Sequence, residues 1–380
     1  MSPTDCWRRW MTGAAGAAAL MTGAPHAPAA QTPASDAALR DAQASVFRAA
    51  LEMVSPLVVR IETVGGAPPL RQDASGEVVP AQGFAQADGP TTGVIWTSDG
   101  HVLTSSFNFA REPAVIVVRL QDGRRFVARL LERDTVSRLA LLKFNAEGLP
   151  TPTCAPPDRL VPGQWALAAG MGHGSSTPTV SVGIVSAVRR ANGTAVQTDA
   201  KLSPANYGGP LFDIEGRVLG ICVPISDNES DELAAAEWYD SGVGFAIDCD
   251  HVARRLPRLM TGESLERGML GVALIDGERV VGSESPEPGG VTVVGDPIGP
   301  AAAVGLRAGD VIVAVDGEPT PRLLEFRRAM ARRAAGDEIE LAIRREAESS
   351  RVRLRLARAA ELRPAALPAE PAATRPASGG

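Results

Sequence analysis

The sequence predicts a mainly β protein: a larger all-β region built as a sandwich or a pair of barrels, followed by a smaller α+β module. Three observations carry this. Between residues 55 and 247, short runs rich in Val, Ile, Leu and Ala alternate with turn signals such as Ser98-Asp-Gly100 and Gln121-Asp-Gly123. Aromatics are scarce (4%) while Gly (39) and Pro (30) are abundant, which favours many turns over long helices. After residues 262–268, which read as a linker, the pattern restarts with strands around one helical stretch, so a second domain begins there.

The 380 residues suffice for two ordinary domains plus tails. A net charge of −6 lacks the basic surface of a nucleic-acid protein, so no nucleic-acid partner is expected. No apolar run is long enough to span a bilayer. Residues 1–30 carry Arg8-Arg9, an Ala/Gly-rich run from Trp10 to Met21, and Ala27-Pro-Ala29, the pattern of a secretory signal peptide. Export to the periplasm or the extracellular space follows, with no transmembrane anchor once the leader is removed.

Residues 31–43 read as a Pro/Ser/Ala-rich linker that runs into a short helix over 41–53, where Ala44, Val46, Phe47 and Leu51 recur at helical spacing. Residues 55–63 form a strand, and 64–90 a long Gly/Pro/Gln/Asp-rich loop. Strands follow at 93–96, 102–103, 114–120, 126–130 and 139–142. Beyond the Pro-rich connection 150–163 they recur at 165–169, 180–188, 195–198, 210–212, 218–223 and 243–247. The acidic insertion 227–240 reads as a solvated loop, and 250–259 as a helix. In the second module a helix falls near Leu323–Arg333, with strands at 338–344 and 352–356. Residues 359–380, dominated by Ala, Pro, Ser and Gly from Arg363 onward, read as a disordered tail.

Cys6 lies in the leader, leaving Cys154, Cys222 and Cys249. No C-x-x-C occurs, so neither a zinc site nor a thioredoxin-type motif is expected, and no metal or cofactor. The odd count leaves at least one thiol outside any intramolecular bridge. Cys222, inside the apolar run Leu219–Val223, reads as a small core residue.

The segment Gly93-Val-Ile-Trp-Thr-Ser-Asp-Gly-His-Val-Leu-Thr104 resembles the first barrel of the trypsin-like HtrA/Deg serine proteases. Further ordered matches are Leu139-Ala-Leu-Leu-Lys143, Ser181-Val-Gly-Ile-Val-Ser186, Gln197-Thr-Asp199, Gly208-Gly-Pro-Leu211 and Gly242-Val-Gly-Phe-Ala-Ile247. Arg267-Gly-Met-Leu-Gly-Val272 and Gly305-Leu-Arg-Ala-Gly-Asp-Val-Ile312 are similar to that family's PDZ domain. The resemblance implies a trypsin-like double β-barrel over 44–260 and one α+β PDZ domain over 265–358.

A protease of this kind needs a nucleophilic hydroxyl, an imidazole to take its proton and a carboxylate to orient the imidazole. In the family the histidine follows Leu-Thr after two intervening residues; here Leu103-Thr104-Ser-Ser is followed by Phe107, which accepts no proton. The aspartate falls just before Leu-Ala-x-Leu-Lys; here stands Arg138, a permanent cation. The serine precedes Gly-Gly-Pro; here stands Tyr207, a phenol of pKa about 10 that reaches past a serine's place and tends to fill the cleft mouth. The oxyanion-hole region is Ala205-Asn206-Tyr207, with Ala205 where the family has Gly, tolerated only at negative φ. Losing one triad member typically removes about 10⁴- to 10⁶-fold of kcat. Outside the leader the histidines are His101, His173 and His251; His173, in a Gly-rich loop, is the best placed for chemistry. Ser105, Ser106 and Ser203 lack a visible base, and Asn108 is no base at neutral pH.

The PDZ module keeps its peptide loop, Gly268-Met269-Leu270-Gly271-Val272. Such loops capture a terminal carboxylate on backbone N–H groups while the peptide adds as a strand. Leu323, Phe326 and Met330 supply the facing wall, and the arginines of that helix read as a solvated face. The expectation is an exported, proteolytically inactive homologue that binds protein C-termini or unfolded polypeptide. The alternative is an active endopeptidase of envelope protein quality control. The resemblance further implies a homotrimer, or assembly with an active protease.

Overall fold

The computed structural model describes residues 33–65, 70–72, 78–80, 91–109, 113–171, 177–225, 242–276, 289–346 and 348–362. The chain divides into two units, residues 1–45 and 46–380. The leader, the 227–240 insertion, His173 and the tail beyond Leu362 lie outside the described residues.

Helix α1 spans Pro33–Val54. It begins eight residues before the predicted helix and replaces most of the predicted 31–43 linker. The Ala, Leu, Arg and Gln content of that stretch favours helix, and Pro33 is tolerated in a first turn. In the second unit Ala50 and Val54 are fully buried beside Leu167 and Phe212.

The first barrel is made of β1 (Val58–Val64), β4 (Thr91–Ile95), β5 (His101–Ser105), β6 (Val115–Arg119), β7 (Arg125–Asp134) and β8 (Leu139–Lys143). Its closed order is β1-β4-β5-β8-β7-β6, every pair antiparallel. Within the predicted 64–90 loop, β2 (Leu70–Gln72) and β3 (Val78–Pro80) pair as a small ribbon. Ser55–Leu57 is a 3-10 turn instead of strand, because Pro56 sits at its start. The second barrel closes as β10-β11-β14-β13-β12-β9. Its strands are β9 (Trp165–Gly170), β10 (Thr179–Arg190), β11 (Ala195–Thr198), β12 (Pro210–Phe212), β13 (Val218–Val223) and β14 (Gly244–Asp248). Of the two architectures left open, barrels are therefore the outcome. β5 and β13 are buried at every residue because each lies in a wall covered on both faces.

Helix α2 (Cys249–Met260) closes the larger domain, and its N-cap Asp248 accepts the His251 N–H. The linker is not a free spacer. Leu265 is fully buried and bridges Asp134, while Arg267 bridges Ala334. The PDZ sheet runs β15 (Ala273–Asp276), β16 (Val291–Val294), β17 (Val311–Val315), β19 (Glu338–Arg345), β20 (Glu348–Arg355), with β18 (Glu318–Pro319) paired to β17. Helices α3 (Gly299–Ala303) and α4 (Leu323–Ala331) cover it. Ala359–Leu362 form a 3-10 turn where the disordered tail was expected to begin.

α2 also joins the domains. Arg255 pairs with Asp134 at 3.2 Å, both nearly fully buried, and its guanidinium donates to the Ala331 carbonyl of α4 at 3.1 Å. Arg258 bridges Asp337 at 2.9 Å.

Candidate functional site

Of the three positions named from the sequence, Phe107 and Tyr207 meet in space, and the Arg138 backbone bonds the end of the strand that leads to Phe107. Phe107 lies in the 3-10 turn Ser106–Phe109 that ends β5, and Tyr207 in the turn before β12. Their rings pack edge to face, centroids 5.6 Å apart and planes at 82°. Tyr207 is 8% exposed, so its ring is buried against Phe107 and does not merely stand at the cleft mouth. Arg138 has a left-handed backbone (φ 55°), which turns its carbonyl toward the end of β5. That carbonyl accepts the Ser106 N–H at 2.8 Å. The Ser105 hydroxyl lies 3.4 Å from the same oxygen.

The turn holding Ala205, Asn206 and Tyr207 is bonded to itself. The Ser203 carbonyl accepts N–H groups from Asn206 (2.8 Å) and Tyr207 (3.2 Å). Asn206 Oδ1 accepts from the Ser203 hydroxyl at 2.9 Å and the Ser203 N–H at 3.2 Å. Ala205 stays out of the positive-φ region, the condition its Cβ imposes, and its carbonyl accepts the Thr92 hydroxyl at 2.6 Å. An oxyanion site needs N–H donors aimed into open space; the Tyr207 N–H is instead engaged by Ser203.

Asn108, dismissed as a base, has a different role that sequence reasoning missed. It is fully buried, and its amide nitrogen donates to Thr104 Oγ1 at 2.9 Å and to the Tyr207 carbonyl at 3.1 Å. Thr104 in turn donates to the Thr92 carbonyl at 2.7 Å. This chain fastens the first barrel to the Tyr207 turn. Gly208 makes the approach possible: at φ +87°, any Cβ would collide with Thr104 Oγ1 and the Thr92 carbonyl.

Of the histidines, His101 bonds Asp99 through Nδ1 at 2.9 Å inside its own turn. His251 Nε2 lies 2.8 Å from the Ser137 hydroxyl, a pair not legible in the sequence, since the residues come from α2 and the β7–β8 turn. His251 and Ser137 are 1% and 2% exposed. Burial, reinforced by the charges of Arg255, Arg254 and Arg332, pushes the imidazole down to about 3.

The PDZ groove encloses about 410 Å³ between the 268–272 loop and α4. The loop is anchored at one end by reciprocal Met269–Ala357 backbone bonds (2.8 and 3.0 Å) and at the other by Ile298 N–H to the Gly271 carbonyl (2.8 Å). Among the described residues no bond uses the N–H groups of Leu270, Gly271 or Val272. Gly271 sits at φ +85°, and a Cβ there would meet the Ile298 carbonyl. Phe326 and Met330 line the groove and also belong to the PDZ core; Leu323 packs on that core without lining the groove. Ile298 and Leu362 line it too, unforeseen because both follow or end irregular segments with no periodic signal.

Residues 91–221 match the trypsin-like peptidase domain family and residues 268–356 the PDZ domain family. A probable periplasmic serine endoprotease DegP-like of Halomonas elongata is 34% identical over 270 residues, 69% of this chain and 55% of that protein. One of the same description from Pseudomonas fluorescens is 30% identical over 340 residues, 81% of this chain and 69% of that protein. The chain thus spans about half to two thirds of the length of such relatives. Among solved structures, the HtrA-type protease AlgW with decapeptide superposes with a TM-score of 0.58 at 26% identity, covering 82% of this chain and 98% of that one.

Proposed function

We propose that this chain, which belongs to the HtrA/DegP family of trypsin-like serine proteases carrying a PDZ domain, is a proteolytically inactive member that binds protein C-termini or extended polypeptide through its PDZ groove. The observation carrying the first half is the Phe107–Tyr207 ring contact. In this reading two aromatic rings occupy the space in which an imidazole and a serine would exchange a proton, and Arg138 stands where an orienting carboxylate belongs. Hydrocarbon accepts no proton, and a guanidinium repels an imidazolium. The engaged Tyr207 N–H leaves the tetrahedral oxyanion without one of its donors.

The relatives' description as endoproteases favours the second reading, an active enzyme. Ser137–His251 is the hydroxyl–imidazole pair that would have to serve it. Neither side chain reaches solvent, and an imidazole pushed to about 3 is a weak base at neutral pH.

Support for the second half comes from the groove: three backbone N–H groups beside apolar walls from Leu270, Phe326 and Met330 suit a terminal carboxylate preceded by an apolar side chain. AlgW, similar in fold, was solved with a decapeptide. Export and a scaffolding or regulatory place beside an active protease, as a homotrimer or a mixed assembly, complete the proposal. Casein turnover by the purified chain tests it. The expected result is background cleavage, unchanged in Tyr207→Ala; cleavage lost in Tyr207→Ala or His173→Ala overturns it.

A further inference from the structure

Cys154 and Cys249 reach one point of the second barrel from different directions. β14 leaves β13 at the Asp248–Gly220 pair, and Cys249 begins α2. Further along β13 its edge is taken by residues 153–155: Val218 N–H donates to the Thr153 carbonyl at 2.8 Å, and Ala155 N–H to the Val218 carbonyl at 2.9 Å. Cys154 is the residue paired with Val218. Cys249 Sγ stands 3.2 Å from the Val218 carbonyl, and the two thiols interact directly. Both pack on the same hydrophobic cluster, Cys249 5% exposed and Cys154 half-buried.

We propose that Cys154 and Cys249 form a redox pair that closes to an intramolecular disulfide when the protein meets a disulfide oxidant. Cys154 attacks, being the more accessible thiol; the contact with Cys249 lowers its pKa, while Cys249 is held raised by that contact and by burial. The Cys154 thiolate displaces one thiolate from the oxidant and forms a mixed disulfide. Cys249 then releases its proton to solvent and attacks Cys154 Sγ, displacing the second thiolate. Two protein thiols are oxidised, and one disulfide is reduced to two thiols. Cys222 takes no part: it is fully buried and burial pushes it up to about 12. The bond ties the connection between the barrels to the first turn of α2. It restricts the unfolded chain far more than the folded one, in which Cys154 pairs with Val218 and Cys249 Sγ already reaches the Val218 carbonyl. An oxidising compartment, expected for an exported chain, keeps such a bond closed.

The test incubates the purified full-length chain with oxidised glutathione or with dithiothreitol, then maps peptides by mass spectrometry after denaturing alkylation. The expected result is a linked Cys154–Cys249 peptide with Cys222 alkylated, and a Tm higher by roughly 5 °C in the oxidised sample. Cys154→Ser and Cys249→Ala are each expected to abolish the linked peptide and the reductant-dependent Tm difference. Full alkylation of both thiols after oxidation, a persistent glutathione adduct on Cys154, or linkage of either to Cys6 or Cys222 overturns the proposal. Mapping of the unsubstituted chain decides the matter even if a variant fails to fold.

Discussion

Tyr207 and Phe107 hold each other edge to face at 5.6 Å, and the turn beneath Tyr207 is fastened to the first barrel by Asn108. The two rings and the amide form one packed unit across the barrels. Edge-to-face pairs add about 0.5–1.5 kcal/mol beyond the area they bury. Phe107→Ala is therefore expected to destabilise the fold by about 2–4 kcal/mol, less than a full core truncation because Phe107 is half-buried. Chemical denaturation measures it, and an unchanged midpoint contradicts the packing role.

Asn108→Leu removes two buried hydrogen bonds and leaves Thr104 and the Tyr207 carbonyl each short of a donor. A loss of about 2–4 kcal/mol is expected from the unmet partners. Asn108→Ala is expected to fall in the same range, so the loss reports the bonds more than the shape of the replacement.

Arg255 and Asp134 form a buried pair that also reaches the PDZ helix. Arg255→Ala strands a carboxylate that no longer meets a cation, for an expected loss of about 3–5 kcal/mol. It also removes the bond to Ala331, so limited proteolysis is expected to cut near residues 261–264 faster than in the unsubstituted chain. Stability loss without faster cleavage contradicts the joining role.

Much of the fold was legible in the sequence because β-strands with alternating or fully apolar runs announce themselves, as at 114–120 and 218–223. The two barrels were not separable from a sandwich by pattern alone, since closure depends on the β1–β6 and β9–β12 pairings between strands distant in sequence. Linker composition misled at 33–43: alanine favours helix, and low complexity says nothing about it. At the site, the reading of Phe107, Arg138 and Tyr207 rests on residue type and flanking motifs, which the sequence displays directly. The roles of Asn108, Ile298 and the Ser137–His251 pair did not, because each depends on a partner brought close only by tertiary packing.

His251 gives a pH dependence of known sign. In the unfolded chain a histidine titrates near pH 6.5; folded His251 refuses its proton until about 3. Between those values the unfolded state binds more protons, so stability falls as pH drops through the window. By pH 5 the expected loss from this group is about 2 kcal/mol. His251→Gln, which keeps a partner for Ser137, is expected to flatten the dependence between pH 7 and 5. An unchanged slope contradicts a buried, neutral imidazole.

Gly271→Ala places a Cβ against the Ile298 carbonyl at a positive φ. Affinity for a peptide with an apolar C-terminus, read by fluorescence anisotropy, is expected to fall at least about tenfold. Amidating the peptide's carboxylate is expected to weaken binding to the unsubstituted chain comparably; equal affinity for both peptides contradicts carboxylate capture.

The most direct test of proteolytic inactivity asks whether any hydroxyl in the chain is activated as a nucleophile. The full-length protein is treated with a fluorophosphonate and weighed intact by mass spectrometry, beside an active serine protease. No covalent adduct is the predicted result. Stoichiometric labelling of one serine, whether Ser105, Ser106, Ser137 or Ser203, would contradict it.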